Sequence, residues 1–322
     1  MHPFFLLFLL VQMARCQTSN KPATNATLFP TPKGIWTTEW SKDGKYIAIA
    51  GDDSTIWLYN GSTYRLYNSF KANSMVKGLS WHPTENLLAI ANMKGVQLLD
   101  VKTETLTTLT DIKTGGRGIG WNYNGQLLAL ADGNGVVQIM NKYGKLQRSI
   151  PKNERKSFLS IHWHPSRNII LTGGDEIILF DTTGRQLNIF RIRDQYTGIL
   201  SVRWHPSGEF FASGDYGHED EGKPTLLQFW KIDGTLIKQI SGHHKEIRNL
   251  RWSNDGKYIA TAADALRIWS SEGELLYTGA TEANLWGVAW SPDDKFIVTG
   301  TFTNGKVKLW NNHAKLIKEL TP

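Results

Sequence analysis

Hydrophobic and polar positions change over in short runs along most of this chain, and the runs recur. Aligned on tryptophan, seven segments read TTEWSKDGKYIAIAG, GLSWHPTENLLAIAN, GIGWNYNGQLLALAD, SIHWHPSRNIILTGG, SVRWHPSGEFFASGD, NLRWSNDGKYIATAA and GVAWSPDDKFIVTGT. The anchors are Trp40, Trp81, Trp121, Trp163, Trp204, Trp252 and Trp290, spaced by 41, 40, 42, 41, 48 and 38 residues. Self-similarity at such a period marks stacked supersecondary units.

Each copy parses into four strands. The first ends at the anchor Trp. A four-residue turn follows, such as SKDG, SNDG or HPSG, with Pro suited to its second place and Gly to its fourth. The second strand is apolar, as in YIAIA or FFASG. The third closes on an aromatic or apolar pair and a polar residue, as in IWLYN, LFD, FWK or KLWN. A turn such as KIDG leads to the fourth. No stretch carries helical periodicity. A four-stranded sheet of this size has two faces to cover and cannot bury both alone. Radial stacking covers them, with each anchor Trp wedged between neighbours. The pattern therefore predicts an all-β, seven-bladed β-propeller of four-stranded antiparallel blades over residues 34–322.

The period, Gly242-His243, the SPDG-like turns and the Trp that ends the third strand at Trp57, Trp230, Trp269 and Trp310 resemble WD40 repeats. The resemblance covers residues 34–322. It departs from the family pattern in two ways. Only the sixth copy has the Gly-His pair, and the Trp-Asp dipeptide is worn to WL, LD, MN, FD, WK, WS and WN. How the ring closes stays open at this level. NNHAKLIKELTP suits a fourth strand of the last blade, and ATLF at 26–29 could pair there instead, as in many relatives.

Residues 242–269, GHHKEIRNLRWSNDGKYIATAADALRIW, contain a histidine, a hydroxyl and a carboxylate, the residue types of a nucleophilic triad. The resemblance implies another role. It makes His243, Thr261, Asp264 and Trp269 a hydrogen-bonded structural network, in which a buried imidazole finds the donor and acceptor it needs. Thr261 falls inside a strand, away from the exposure a catalytic hydroxyl requires. No GxSxG, metal-ligand spacing or Asp-box appears, so no catalytic residue, cofactor or metal is expected, and the chain does not read as an enzyme. His82, His164 and His205 recur in WHP turns of different blades and are expected to point outward, too far apart to share a metal. GGRGIG at 115–120 precedes a strand, whereas a phosphate loop precedes a helix.

Charge adds little. The formal net charge is +7, and Lys and Arg are scattered, which gives no nucleic-acid footprint and at most a mild preference for acidic partners. The 322 residues would suggest two domains, a prior that closed β architectures override. Cys16 is the only cysteine, so the folded body holds no disulfide. Residues 1–16 read as an export signal, with the apolar run Phe4 to Val11 too short to span a bilayer. Cleavage falls after Cys16, or Cys16 becomes a lipidated amino terminus and the sole link to a membrane. Residues 17–33 form a polar tether, with the sequon Asn25-Ala26-Thr27. Export without cysteine in the folded body reads as bacterial, periplasmic or cell-surface. A start placed elsewhere would make the protein cytoplasmic.

Two features are not demanded by the repeat. YGHEDEGKP, 216–224, is an insertion between the second and third strands of the fifth copy, and its His218, Glu219, Asp220 and Glu221 suit a cation, an acidic finger or plain solvation. Four residues before the anchors stand Trp36, Lys77, Arg117, Leu159, Leu200, Arg248 and Trp286. In WD40 propellers this place lies near the mouth of the central channel. Trp36, Lys77, Arg117, Arg248 and Trp286 then form a partner-binding set, since Trp and Arg dominate interface hot spots and guanidinium groups pair carboxylates. Trp36 and Trp286 could equally be packing. The expectation is a non-catalytic protein- or peptide-binding scaffold with an acidic partner. The alternative is a glycan or small-ligand receptor in the channel.

Overall fold

The computed structural model describes residues 33–321, apart from 110–113, 133, 152–156, 191, 193–197 and 219–220. The signal, Cys16, residues 17–32 and the insertion's Glu219 and Asp220 therefore lie outside the described residues. Seven four-stranded antiparallel sheets are present, each contiguous in sequence: residues 35–71, 76–108, 116–150, 158–190, 199–243, 249–280 and 285–320. We number these blades one to seven. In every blade the first strand ends on its anchor Trp. Blade seven is completed by its own last strand, Leu316–Leu320, which pairs with Val307–Asn311.

The core is a ring of seven cores. Each buried apolar cluster among the described residues joins two adjacent blades, and the cluster of Ile35, Trp40, Trp57, Ala289, Val298 and Leu309 joins blades one and seven. Closure therefore rests on side-chain packing of the same kind as every other interface.

The anchors also staple the ring. Five indole N–H groups donate to the blade before, always to the carbonyl just ahead of that blade's own anchor. Trp81 reaches Glu39 at 3.3 Å, Trp121 Ser80 at 3.2 Å, Trp163 Gly120 at 2.8 Å, Trp252 Arg203 at 3.3 Å and Trp290 Arg251 at 3.0 Å. The Trp40 and Trp204 indoles are buried without such a partner.

The WHP histidines correct the sequence reading. They do not point outward. Each Nδ1 accepts from amides of its own turn, while Nε2 donates to the carbonyl of the turn glycine in the next blade. The pairs are His82–Gly125 at 3.1 Å, His164–Gly208 at 3.0 Å and His205–Gly256 at 2.9 Å. A neutral imidazole serves because it offers one donor and one acceptor on opposite sides. Each glycine has φ between 71° and 75°, where a side chain is disfavoured, and a Cβ on it would strike the imidazole. Asn122–Asn168 at 2.9 Å ties blades three and four, and Asn254–Asp294 at 2.8 Å ties six and seven.

Candidate functional site

One device places the site. In six blades the pairing of the first two strands slips by a residue, between Ile35 and Thr37, Val76 and Gly78, Gly116 and Gly118, Phe158 and Ser160, Ile199 and Ser201, and Leu285 and Gly287. The residues left out of the ladder are Trp36, Lys77, Arg117, Leu159, Leu200 and Trp286. In blade six, Arg248 sits just ahead of the strand Asn249–Trp252. A bulge breaks alternation and re-aims the side chain it carries. In every blade but the seventh the residue four before the anchor reaches the channel mouth, a cavity of 700 Å³ lined by Trp36, Lys77, Arg117, Leu159, Leu200 and Arg248.

The five sequence-picked residues form one cluster. Trp286 is 9% exposed and stacks on Phe302 at 3.6 Å and 11°. Trp36 meets Trp286 edge-on at 4.6 Å, and its indole N–H donates to Asp52 at 2.6 Å. Lys77 Nζ lies 4.9 Å from the Trp36 ring, with the Arg117 guanidinium at 5.9 Å. The Arg248 guanidinium lies 4.2 Å from Trp286 and 5.8 Å from Tyr216, and Glu246 holds it through two bonds of 3.0 and 2.8 Å. Cations over aromatic faces are attracted by the ring quadrupole. Trp286 is thus largely committed to packing, while Trp36 remains half-buried.

Lys77, Arg117 and Arg248 line the mouth against one carboxylate, Asp175. Among the described residues no carboxylate lies within ion-pair distance of Lys77 or Arg117. Burial first and the nearby Arg117 second lower the Lys77 pKa. Burial and Arg248 bring Arg117 down to about 10. Arg117 also crosses the channel, with its Nη2 donating to the Arg248 carbonyl at 3.1 Å from blade three to blade six. Sequence reading missed this bar, the Phe302 stack, the Asp52 and Glu246 supports, and the approach of Tyr216 from the insertion. The bulges left a trace in the small residue after them, as at Gly78, Gly118 and Gly287, whose added Cβ would meet the neighbouring blade at 2.3 to 2.8 Å.

His243, Thr261, Asp264 and Trp269 lie together away from this mouth. His243 is 4% exposed, with Nδ1 2.9 Å from Asp264 and Nε2 2.7 Å from the Thr261 hydroxyl, to which the Trp269 N–H donates at 2.9 Å. Arg267, which sequence reading did not include, forks onto Asp264 at 2.8 and 3.0 Å. Burial pushes the Asp264 carboxyl up, but the His243 and Arg267 hydrogen bonds outweigh it and hold it well below the usual range. Burial lowers the His243 pKa. Other blades keep only part of this chain: Trp230 donates to Ser213 at 3.0 Å and Trp310 to Thr299 at 2.9 Å. In blade one the register places Tyr59, not the expected Trp57, at the equivalent position, and Trp57 instead donates to Asp53 at 3.1 Å. In the insertion, His218 and Lys223 close a small bridge, with Lys223 paired to Glu221 at 2.9 Å. No group of three or more metal-ligating side chains occurs among the described residues.

Comparison with known proteins agrees with this geometry. Residues 38–117 match the anaphase-promoting complex subunit 4 WD40 domain, and 186–220, 234–270 and 273–311 match the WD domain, G-beta repeat. The chain is similar to Cell division cycle 20.1, cofactor of APC complex, of Arabidopsis thaliana, with 23% identity over 72% of this chain and 53% of that protein. It is similar to Protein FIZZY-RELATED 3 of the same plant, with 19% identity over 84% and 57%. It is similar also to WD repeat-containing protein slp1 of Schizosaccharomyces pombe, with 24% identity over 72% and 48%. The chain thus spans little more than half of the first two and just under half of the third. These relatives are eukaryotic, and they give no support to the bacterial reading. That reading rested on a cysteine-free body, a composition that fits either source. Pattern, geometry and comparison converge on a seven-bladed β-propeller built of WD40 repeats.

Proposed function

We propose that the protein is a non-catalytic scaffold that holds an acidic, aromatic-bearing peptide segment of a partner at the channel mouth. The observation that carries this is the mouth itself. Three bulges and the start of blade six turn Trp36, Lys77, Arg117 and Arg248 toward one concavity where cations outnumber carboxylates, and Trp286 packs behind Trp36 and Arg248. The cationic groups already lie over aromatic faces, which lowers the ordering cost of binding. The name of one relative, a cofactor of the APC complex, fits a protein-interaction role. The Trp36 and Trp286 faces are taken up by cations and by Phe302, which leaves little open indole for a sugar and favours a peptide over the glycan alternative. Export by residues 1–16 remains part of the proposal. The mass of the mature amino terminus separates Gln17, a lipidated Cys16 and an uncleaved Met1.

The test is fluorescence polarisation of the full chain against synthetic acidic peptides with and without an aromatic residue. Binding should weaken with salt, and Lys77→Glu with Arg248→Ala should weaken it by about tenfold or more. Both variants should keep their melting temperature within about 2 °C, because neither residue belongs to an interblade core. Undiminished binding by the double variant sinks the site. Glycan binding that survives Lys77→Glu but not Trp36→Ala would favour the alternative.

A further inference from the structure

Beneath the Arg117 bar the channel opens into a second void of 350 Å³ toward the opposite face. Its upper walls come from the residues just ahead of the anchors. These walls are lopsided. Blades two and three contribute Ser80 and Gly120, while blades four, five and six contribute His162, Arg203 and Arg251, and Lys42 enters from blade one. Blade seven has only Ala289 at this place, and Arg251 reaches past it to Glu39 at 2.7 Å. Arg251 also donates to Asn249 at 2.9 Å, so its charge is compensated.

Arg203 and His162 differ from Arg251. Arg203 bonds through Nη1 alone, to the Val202 carbonyl at 2.8 Å and, at 3.4 Å each, to the Ser160 hydroxyl and the Ile161 carbonyl. No carboxylate lies within ion-pair distance of it among the described residues. Guanidinium cannot shed its proton in a protein, so this charge persists in the channel wall. His162 Nδ1 accepts from the Trp204 amide at 3.1 Å. Burial first, then Arg203 and Arg251, hold its pKa well down, so the ring is neutral and carries its proton on Nε2. That Nε2–H has no protein acceptor among the described residues. Two unused donor edges and the Lys42 ammonium thus surround one void with Glu39 as its single carboxylate. Donors arriving from three blades suit a tetrahedral oxyanion better than a planar carboxylate, which one guanidinium fork can satisfy.

We infer that the lower channel is a binding site for a small polyanion bearing phosphate groups, gripped by Arg203 and His162 and flanked by Lys42 and Arg251. The site does not depend on the peptide reading, since it lies on the far side of Arg117 and uses other residues. A single phosphate fits the upper wall, and the remaining volume admits a chain of two or three.

Calorimetry and thermal melting of the full chain with tripolyphosphate, inorganic phosphate and citrate test this. Tripolyphosphate should bind once per chain and raise the melting temperature, more tightly than citrate by about tenfold or more. Arg203→Gln should weaken it by at least about tenfold. Gly120→Glu serves if that variant fails to fold. A Cβ at Gly120 meets nothing closer than 3.5 Å, so a side chain can begin there without striking the neighbouring blade, and in a folded variant its carboxylate should occupy the donors and abolish the tripolyphosphate response. Lys77→Glu at the upper mouth should change binding by less than about threefold. Absence of saturable binding, full binding by folded Gly120→Glu, or loss of binding in Lys77→Glu would overturn the site. Equal binding of citrate would overturn its assignment to phosphate.

Discussion

Two positions four residues apart in every blade obey different rules. The anchor is Trp seven times, whereas the place before it reads Trp36, Lys77, Arg117, Leu159, Leu200, Arg248 and Trp286. The anchor fills an interblade core, and in five blades its N–H donates to the preceding blade, so both volume and donor are fixed. The earlier position belongs to no interblade cluster, and in six blades it stands outside the strand ladder. Interblade packing leaves its identity free in most blades, while Trp286 is held by its stack on Phe302. The contrast separates residues that hold the ring from residues available to read a partner.

The sharpest way to break this comparison is to truncate one member of each class. Trp163→Ala removes an indole from the core of blades three and four together with its 2.8 Å bond to Gly120. Large-to-small changes of this kind cost about 3–5 kcal/mol. At about 2–4 °C per kcal/mol the melting temperature should fall by roughly 10 °C. Lys77→Gln should stay within about 0.5 kcal/mol of wild type, as other surface changes do. Similar costs for the two would erase the distinction.

A smaller effect sharpens the account of the histidine ties. Gly208 has φ 75°, and a Cβ there would lie 2.5 Å from His164 Cε1. Gly208→Ala should therefore cost about 1–3 kcal/mol, from backbone strain and displacement of the imidazole. His164→Ala removes the obstacle, so the double variant should lose less than the sum of the single losses. Strict additivity in denaturant titrations would show that the imidazole is not what the Cβ meets. His243→Ala, which leaves Asp264, Thr261 and Arg267 short of a partner, should cost a similar amount, about 1–3 kcal/mol. Unchanged stability there would remove the structural role of the blade-six network.

The difference between what the sequence reveals and what it hides has the same origin. Anchors, strand ends, turn glycines and the insertion recur or interrupt a recurrence, so a period of about forty exposes them. The Arg117 bar and the Arg251–Glu39 pair do not recur. Arg117 and Arg248 are 131 residues apart and Arg251 and Glu39 are 212 apart, and only closure of the ring brings them together. The His82, His164 and His205 ties escaped for a subtler reason. Each is half of a pair whose other half, a glycine, already has a local explanation in its own turn. The mouth residues were visible because they vary where everything around them repeats. Their support by Phe302 and Asp52 was not, because it comes from other strands and loops, and Glu246, two residues before Arg248, has no repeating counterpart to mark it.

The smallest expected effect concerns pH and tells the two kinds of buried polar tie apart. Burial lowers the pKa of His82 and His164 from the ordinary value of about 6.5. The folded state therefore prefers the neutral ring more strongly than the unfolded chain does. Their contribution is fully present above about pH 6.5 and declines as pH falls toward their folded values. His243 shares this direction, but Asp264 beside it is lowered too and stays charged to well below the usual carboxylate range, which limits the loss in blade six. Melting temperature should thus fall modestly between pH 7.5 and about 5, before most carboxylates titrate. Gln at positions 82 and 164 keeps a donor and an acceptor without a titrating ring, so His82→Gln with His164→Gln should flatten that slope. A slope untouched by the double change, with folding intact, would place the acid sensitivity elsewhere in the ring and leave the interblade histidines as pH-indifferent spacers.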